Sequence, residues 1–205
     1  MRVNPEGGRT FTSQARRAQI VAAAIETIAE AGFARTSFAL IAQRAGLSST
    51  RMISYHFRGK DDLMEAVVTE VFSTAAEFIE PFVLAQSTPA GQLRGLIEGH
   101  ARFYAEHRTQ VLAVRDIWFC FHKPDGTRRY TVDAFELEFA VVSEIFRAGQ
   151  ACGEFRDFDR RFMASTLRHA LDGLAELIAA DPALDVDAST RELVAIFEGA
   201  TRSTR

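Results

Sequence analysis

The chain has 205 residues, of which 47% are hydrophobic and 25% are charged, and its formal net charge is −3. This composition supplies enough apolar side chains for a core, and no apolar run approaches the roughly 18 residues of a membrane-spanning helix. The polar N-terminus has no secretory signal pattern, and two cysteines do not make a disulfide framework. We therefore expect a cytoplasmic protein that does not associate with membranes.

Charge is distributed unevenly along the chain. Residues 1–60 contain nine basic and three acidic residues, a net charge of +6, whereas residues 61–205 contain 15 basic and 24 acidic residues, a net charge of −9. A basic segment attached to an acidic body is typical of a protein that presents one end to a polyanion. Taken alone, this asymmetry also fits an ordinary solvated surface.

The first predicted elements are an arm and a helix. Residues 1–12 are polar and contain glycine, which predicts a flexible arm. From Ser13 to Ala31, apolar residues recur three and four positions apart, which predicts a helix with one buried face. Gly32 follows as the residue that ends this helix.

The segment from Thr36 to Leu63 predicts two short helices followed by the start of another. Thr36 or Ser37 is expected to cap the first of them, and Gly46 permits a sharp turn before the second. Two short helices joined in this way are the layout of a helix-turn-helix, whose second helix enters the DNA major groove. The segment therefore predicts a DNA-binding protein.

The rest of the chain predicts further helices and no strand. A helix begins near Lys60 and is expected to kink or end at Pro81, and Thr88-Pro89 marks the next helix start. Ser189 and Glu192 form a capping box that is expected to open the last helix. Further helices are predicted to end near His107, Phe121, Gln150 and Asp181. The predicted fold is all-α, with about nine helices.

Two runs of residues resemble a known family: Ile41–Ser48, which reads IAQRAGLS, and Tyr55–Leu63, which reads YHFRGKDDL. They are similar to the tetracycline-repressor-like (TetR-type) transcriptional regulators. The resemblance implies a three-helix DNA-binding domain of the helix-turn-helix type over residues 13–60, and a helical ligand-binding and dimerisation domain over residues 61–205. It also implies a repressor that binds a palindromic operator as a homodimer and is released by a small-molecule effector.

The chain has one residue more between Gly46 and Phe57 than the commonest family pattern, and the extra residue falls around Ser49 to Arg51. Which of Ser49, Thr50 and Arg51 faces the bases is therefore left open. Arginine is the natural bidentate reader of guanine, and serine and threonine hydroxyls also bind bases. The predicted base contacts are Ser49, Thr50, Arg51 and Ser54.

Phosphate contacts are predicted around the same helices. Hydroxyls and free N–H groups at a helix N-terminus suit a phosphate oxygen, and so does a lysine at the start of a helix. The resemblance implies contacts by Tyr55 and His56. The predicted phosphate contacts are Thr36, Ser37, Arg44, Tyr55, His56 and Lys60.

Dimerisation is expected because one short recognition helix reads too few bases for a specific site, and two-fold symmetry doubles that number. The last two helices carry apolar residues on more than one side, which indicates burial by the protomer and by a partner. Burial entirely within one subunit is the alternative. The predicted interface residues are Met163, Leu167, Ala170, Leu174, Leu177, Leu193, Ile196, Phe197 and Ala200.

The middle of the chain is rich in aromatic residues, and the resemblance implies that some of them line an effector cavity. A few polar groups would fix the orientation of the effector there. Asp116 near Trp118 favours a cation, and a neutral planar hydrophobe fits equally well. The candidate pocket residues are His100, Phe103, Tyr104, Asp116, Trp118, His122, Phe139 and His169.

Other classes of function compete with this interpretation. An enzyme is disfavoured because the chain has no glycine-rich phosphate loop, no nucleophile elbow and no His-Glu-x-x-His motif. We expect no cofactor and no metal site, since His100 and His107 would lie about 10.5 Å apart on one helix. The remaining alternative is a helical protein-interaction module of the same fold without DNA regulation.

Overall fold

The computed structural model describes residues 5–131 and 136–203. This part of the chain forms nine α-helices and a 3₁₀ turn, its β-pairing is confined to two isolated bridges, and the predicted all-α fold is confirmed. None of these helices combines the length and apolar character needed to cross a membrane. The elements are α1 (Pro5–Ala31), the 3₁₀ turn (Phe33–Arg35), α2 (Phe38–Arg44), α3 (Arg51–His56), α4 (Lys60–Leu84), α5 (Pro89–Glu106), α6 (Arg108–Cys120), α7 (Glu136–Cys152), α8 (Arg160–Ala180) and α9 (Val186–Thr201).

The helices form two compact units. The N-terminal unit comprises the chain up to Ser73 together with Thr109–Arg129, and the C-terminal unit comprises Thr74–Arg108 together with the chain from Tyr130 onwards. This division differs from the boundary predicted after residue 60, because the N-terminal unit also includes Thr109–Arg129. Asp116 and Phe121 of that segment contact Phe33 in the 3₁₀ turn. No local sequence pattern reveals such a contact.

Apolar side chains from α1 to α4 and from α6 form the core of the N-terminal unit, and α1 packs against both helices of the helix-turn-helix. Complete burial of an isoleucine or phenylalanine side chain contributes about 1.5–3 kcal/mol. This packing holds two helices that are too short to be stable alone. The largest fully buried side chains of this unit are Phe57, Ile20, Ile28, Ile41, Ile53, Leu63, Met64 and Ile117.

The turn between α2 and α3 follows from its residues. Ser37 caps α2, its hydroxyl accepting a hydrogen bond from the Leu40 N–H at 3.3 Å. After α2, Gly46 has φ of +63°, and the Leu47 N–H donates to the Ala42 carbonyl at 2.9 Å. This is a Schellman motif, and its left-handed residue explains why glycine stands at position 46.

The predicted start of α1 is wrong, and of the two alternatives predicted at Pro81, a kink or the end of α4, the end is wrong. α1 begins at Pro5, so the arm predicted over residues 1–12 is helical from Pro5, and residues 1–4 lie outside the described residues. Proline suits the first turn of a helix, and extending a formed helix costs little. α4 continues through Pro81 to Leu84, because a proline one turn from the end removes a single N–H donor.

The last helix begins earlier than predicted. Asp185 caps α9 by accepting a hydrogen bond from the Ala188 N–H at 2.8 Å. Ser189 donates its hydroxyl to the Asp185 carbonyl at 3.0 Å, so the capping box predicted from Ser189 and Glu192 is wrong. Aspartate and serine cap helices about equally well, and the earlier start adds a turn to α9.

In the C-terminal unit, α5 packs against α7, α8 and α9. The end of α4 approaches α5 so closely that a Cβ atom on Gly95 would lie 2.3 Å from the Phe82 carbonyl oxygen, which requires glycine at this position. The Arg108 guanidinium donates to the carbonyls of Ile178 and Ala179 at the C-terminus of α8. A positive charge is favoured there by the helix dipole.

Candidate functional site

The outward face of α3 carries polar and basic side chains. Arg51, Ser54 and Tyr55 are exposed on this face, and Tyr55 is 81% exposed. Ile53 and Phe57 lie on the opposite side, are buried, and fix α3 in the core of the N-terminal unit. α3 therefore presents one face to solvent, as a helix that enters the DNA groove must.

The four predicted base contacts lie on this face or immediately before it, and all are exposed. The Ser49 hydroxyl accepts a hydrogen bond from the Arg51 N–H at 3.0 Å, whereas the Thr50 side chain makes no cap hydrogen bond. The Ser49 hydroxyl is thus partly used in starting α3. α3 begins only at Arg51, so Ser49 and Thr50 precede its first turn.

Three predicted phosphate contacts lie on α2 and α3. Ser37 is exposed at the start of α2. Tyr55 and His56 end α3, and their rings meet edge to face with centroids 5.1 Å apart. These groups and the base-contact residues belong to one short segment of the N-terminal unit.

Thr36 and Arg44 are engaged with protein groups. Thr36 is buried, and its hydroxyl donates to the Gly32 carbonyl at 2.8 Å. Arg44 pairs with Glu30 and Glu26 of α1, and its hydrogen bond to Glu30 raises the pKa of the guanidinium above its ordinary value. We therefore leave both residues out of the proposed DNA contacts, because the hydroxyl is covered and the positive charge is compensated.

Lys60 lies against the 3₁₀ turn. Its Nζ donates to the Phe33 carbonyl at 3.1 Å and lies 4.3 Å from the centroid of the Phe33 ring. Burial lowers the pKa of this lysine below its ordinary value. The ammonium group has three N–H donors, and the carbonyl uses one of them.

Arg17 of α1 is a functional candidate that the sequence did not single out. Its guanidinium donates to the His56 carbonyl at 2.8 Å, lies 4.1 Å from the Phe57 ring centroid and pairs with Asp62 at 3.9 Å. Nearby, Gln19 donates to the Ala45 carbonyl at 2.7 Å. α1 thus holds the ends of both α2 and α3, and no local pattern identifies partners so distant in sequence.

Three predicted pocket residues belong to the N-terminal unit. Asp116 on α6 accepts a hydrogen bond from the Phe33 backbone N–H. Trp118 is half-buried on the same helix, and His122 is exposed in the loop after it, opposite Arg128. Asp116 thus holds the backbone of the 3₁₀ turn, and this arrangement does not favour the cation site suggested beside Trp118.

The other five predicted pocket residues belong to the C-terminal unit. His100, Phe103 and Tyr104 on α5 and Phe139 on α7 are buried. His169 on α8 is exposed, and its ring bonds to a carbonyl one turn earlier on its own helix. The four buried residues remain pocket candidates.

His100 and Tyr104 are buried and belong to a group of side chains that we call the polar cluster. Its other members are half-buried Glu138 on α7, half-buried Arg168 on α8 and exposed Asp172 on α8. Arg168 donates to Glu138 Oε2 at 3.2 Å and to the Asp172 carboxylate. His100 Nε2 lies 3.6 Å from Glu138 Oε1, and the rings of His100 and Tyr104 have centroids 5.8 Å apart. The polar cluster joins three helices of the C-terminal unit.

The charges of the polar cluster stabilise one another. Burial acts to raise the pKa of Glu138, but contact with His100 and the charge of Arg168 outweigh it and hold this pKa below its ordinary value. Burial acts to lower the pKa of Arg168, but Tyr104 and Glu138 nearby raise it above its ordinary value. Burial also raises the pKa of Tyr104. At neutral pH the carboxylate and guanidinium are therefore charged and the phenol is neutral.

The predicted dimer residues lie on different faces of α8 and α9. Leu167, Leu174 and Phe197 are buried within the protomer, so they serve its own core and offer no surface to a partner. Leu177 is 55% exposed and Ile196 is 61% exposed. Met163, Ala170, Leu193 and Ala200 are half-buried.

The sequence family described as bacterial regulatory proteins, tetR family, matches residues 20–67. This range contains most of α1, the helix-turn-helix and the start of α4. The chain is also 30% identical over 169 residues to the HTH-type transcriptional regulator BetI of Paraburkholderia xenovorans, a match that covers 80% of this chain and 77% of that protein.

Solved structures share the fold over most of the chain. A transcriptional regulator from Pseudomonas aeruginosa PAO1 has a TM-score of 0.76 and 21% identity, covering 97% of this chain and 92% of its own. The fatty acid degradation regulator FadR from Bacillus halodurans has a TM-score of 0.76 and 18% identity. That match covers 88% of this chain and 93% of the FadR chain. On its sequence relatives and its helix-turn-helix motif, this chain belongs to the TetR family of bacterial transcriptional regulators.

Proposed function

We propose that the protein is a repressor that binds a palindromic DNA operator as a homodimer and leaves it when a small-molecule effector binds to the C-terminal unit. The outward face of α3 is the observation that carries the DNA part of the proposal. It is polar and basic, it is exposed, and buried Ile53 and Phe57 fix its orientation.

Arg51 is the proposed base reader, because it stands exposed at the first residue of α3. A bidentate contact from arginine to guanine contributes about 1–3 kcal/mol of discrimination against the wrong base. The hydroxyls of Ser49, Thr50 and Ser54 would contact neighbouring bases. The proposed phosphate contacts are Ser37, Tyr55, His56 and Lys60.

The proposed dimer surface is the exposed face of α8 and α9, two helices that pack together in the C-terminal unit. Phe162 is 75% exposed, and it shares this surface with Gly173 and Leu177 of α8 and with Ile196 and Gly199 of α9. Large exposed apolar side chains of this kind are typical of a protein–protein interface. The two glycines add little bulk, so the helices of a partner could approach closely.

Effector release requires that the ligand binds one conformation of the protein better than the other. A coupling free energy of about 1–3 kcal/mol would lower operator affinity roughly 5–150-fold. α4 begins at Lys60 in the N-terminal unit and ends in the C-terminal unit, so a change in this helix would reach a proposed phosphate contact.

Fluorescence anisotropy with labelled duplexes tests the DNA part. The DNA upstream of the gene should bind with Kd of about 10⁻⁸–10⁻¹¹ M, a scrambled duplex more weakly, and added salt should weaken both. Arg51→Ala should reduce the difference between the two duplexes. Arg102→Ala, a change at an exposed arginine of α5, is the matched control and should leave both affinities unchanged.

The same measurement separates the repressor from the alternative function. A protein-interaction module would show no salt-sensitive binding to any duplex, even at low ionic strength. That result would contradict the DNA-binding proposal, whatever the protein binds through its C-terminal unit.

A further inference from the structure

The hydroxyl of Tyr104 is a buried polar group without a hydrogen-bond partner. Tyr104 is 6% exposed, and its Oη makes no hydrogen bond of good geometry in the part of the chain that the structure describes, although the Arg168 guanidinium lies near it. An arginine only donates, so the phenol O–H is left without an acceptor. A buried polar group left unpaired in this way is costly, and almost all such groups in proteins are satisfied. The core of the C-terminal unit therefore holds a donor that a bound molecule could satisfy.

The ring of Phe103 on α5 neighbours that of Tyr104, with centroids 6.4 Å apart. The ring of Phe103 stacks on His107 with centroids 4.5 Å apart, and Phe78 of α4 packs against both rings at 5.8 Å and 5.0 Å. His107 Nδ1 is also buried without a partner. An apolar wall with a few polar atoms is the usual composition of a small-molecule site.

The charges of the polar cluster are already compensated. Arg168 is shared by two carboxylates, Glu138 and Asp172, and Glu138 also lies against His100. The Arg168 guanidinium is already paired with Glu138 and Asp172, so a ligand carboxylate placed there would be repelled by two carboxylates. A ligand cation would have to take Glu138 from Arg168, because the other carboxylate is 47% exposed and screened by solvent.

We propose that the effector is a neutral, largely apolar molecule whose carbonyl or hydroxyl oxygen pairs with Tyr104 Oη between α5, α7 and α8. This inference rests on the proposed effector control and adds the chemical class of the ligand. Because Tyr104 is closed to solvent, the ligand reaches it only when neighbouring side chains move. Binding is therefore linked to a conformational change, as release from an operator requires.

Four nine-carbon probes test the class of ligand: 2-nonanone, 1-nonanol, nonanoate and nonylammonium. They share similar apolar chains and differ in their polar group and charge. Thermal unfolding of the DNA-free protein is followed by the fluorescence of Trp118, the single tryptophan. We expect the two neutral probes to raise Tm in a concentration-dependent way and the two ions to leave it unchanged. A larger shift with either ion, or no shift with any probe, would overturn the proposal.

Tyr104→Phe tests the residue. It removes only the unpaired hydroxyl, so the free variant should unfold at the same temperature as the wild type or higher. Its Kd for 2-nonanone should rise about tenfold, the loss expected for one hydrogen bond. Thr69→Val, which removes an exposed hydroxyl of α4, is the control and should bind the probe normally. If Tyr104→Phe binds 2-nonanone with the wild-type Kd, the Tyr104 hydroxyl does not contact the ligand and the proposal is wrong.

The probe experiments contain no DNA, so they are independent of the proposed repressor function. Probe binding without operator binding would leave the ligand site standing and contradict the repressor. Operator binding without any response to the neutral probes would support DNA binding and contradict the proposed ligand class.

Discussion

The Asp116 carboxylate on α6 accepts a hydrogen bond from the backbone N–H of Phe33 in the 3₁₀ turn. The Phe33 carbonyl accepts a hydrogen bond from Lys60 at the start of α4. The Phe33 ring packs on the ring of Phe121, with centroids 5.5 Å apart. Side chains of α4 and α6 therefore hold both backbone groups of one residue. This turn leads directly into Ser37 and α2, the first helix of the helix-turn-helix.

Asp116→Ala should destabilise the N-terminal unit, because it leaves the Phe33 N–H without its partner. We expect a loss of about 1–3 kcal/mol in the free energy of unfolding, measured by urea denaturation. Asp116→Asn keeps an acceptor oxygen at the same place and should lose less. Equal stability of Asp116→Ala and the wild type would show that the hydrogen bond contributes nothing.

Lys60→Met separates a phosphate contact from a structural role, because methionine keeps part of the packing on Phe33 and removes the ammonium group. A phosphate contact predicts that the slope of log K against log salt falls by about 0.9 per subunit, equally for matched and scrambled duplexes. Anisotropy titrations over a series of KCl concentrations measure this slope. A lower Tm with an unchanged salt slope would show that Lys60 stabilises the 3₁₀ turn and does not contact a phosphate.

The sequence predicted those parts of the fold that depend on local chemistry. Ser37 as a cap, one of the two residues considered for that position, and Gly46 in the turn follow from the preferences of single residues, and the structure confirms both. The contact of Asp116 with Phe33 joins residues 83 positions apart. Local patterns carry no information on such pairs, so the sequence assigned Asp116 to a pocket.

Arg17→Ala should weaken the N-terminal unit more than Arg16→Ala. Arg17 holds the His56 carbonyl and the Phe57 ring, whereas Arg16 donates to Gln19 one turn away on its own helix. We expect Arg17→Ala to lower stability by about 1–2 kcal/mol and to weaken binding to every duplex. Urea denaturation and anisotropy measure the two effects, and similar results for both variants would contradict the assigned role.

The apolar spacing on α8 and α9 predicted that both helices have buried faces but not which residues a partner would cover. Leu174 and Leu177 are one helical turn apart, yet the first is buried in the protomer and the second is exposed. Helical periodicity defines a stripe of residues, and only the packing of neighbouring helices decides which edge of that stripe stays open. Phe162, the more exposed of the two large hydrophobic side chains exposed on α8, was missed for the same reason.

Leu177→Glu and Ile196→Glu should each shift the proposed dimer toward monomer, because each would bury a charge in the interface. Analytical ultracentrifugation measures the association state, and circular dichroism checks that both variants remain folded. Val141→Glu, at an exposed apolar residue of α7, is the matched control and should remain dimeric. Unaltered association of both interface variants would place the dimer surface elsewhere.

Glu138 should make the stability of the C-terminal unit dependent on pH at acidic values. Its pKa in the folded protein lies below the ordinary value of 4.5, so the folded state favours the ionised carboxylate. Its contribution is therefore fully present above pH 4.5 and is lost as the pH falls through the folded pKa. Glu138→Gln removes this contribution at every pH.

At neutral pH, we expect the free energy of unfolding of the wild type to exceed that of Glu138→Gln by about 1–3 kcal/mol. This is the range for hydrogen bonds to a charged group. The difference should stay constant down to pH 4.5 and shrink below it, because the Glu138 carboxylate of the unfolded wild type then takes up a proton before that of the folded protein does. Urea denaturation across this range measures both variants. Glu144→Gln, at an exposed acid of the same helix, controls for loss of a surface charge and should show a smaller difference. A stability advantage of the wild type that grows below pH 4.5 would contradict a Glu138 carboxylate held ionised by His100 and Arg168.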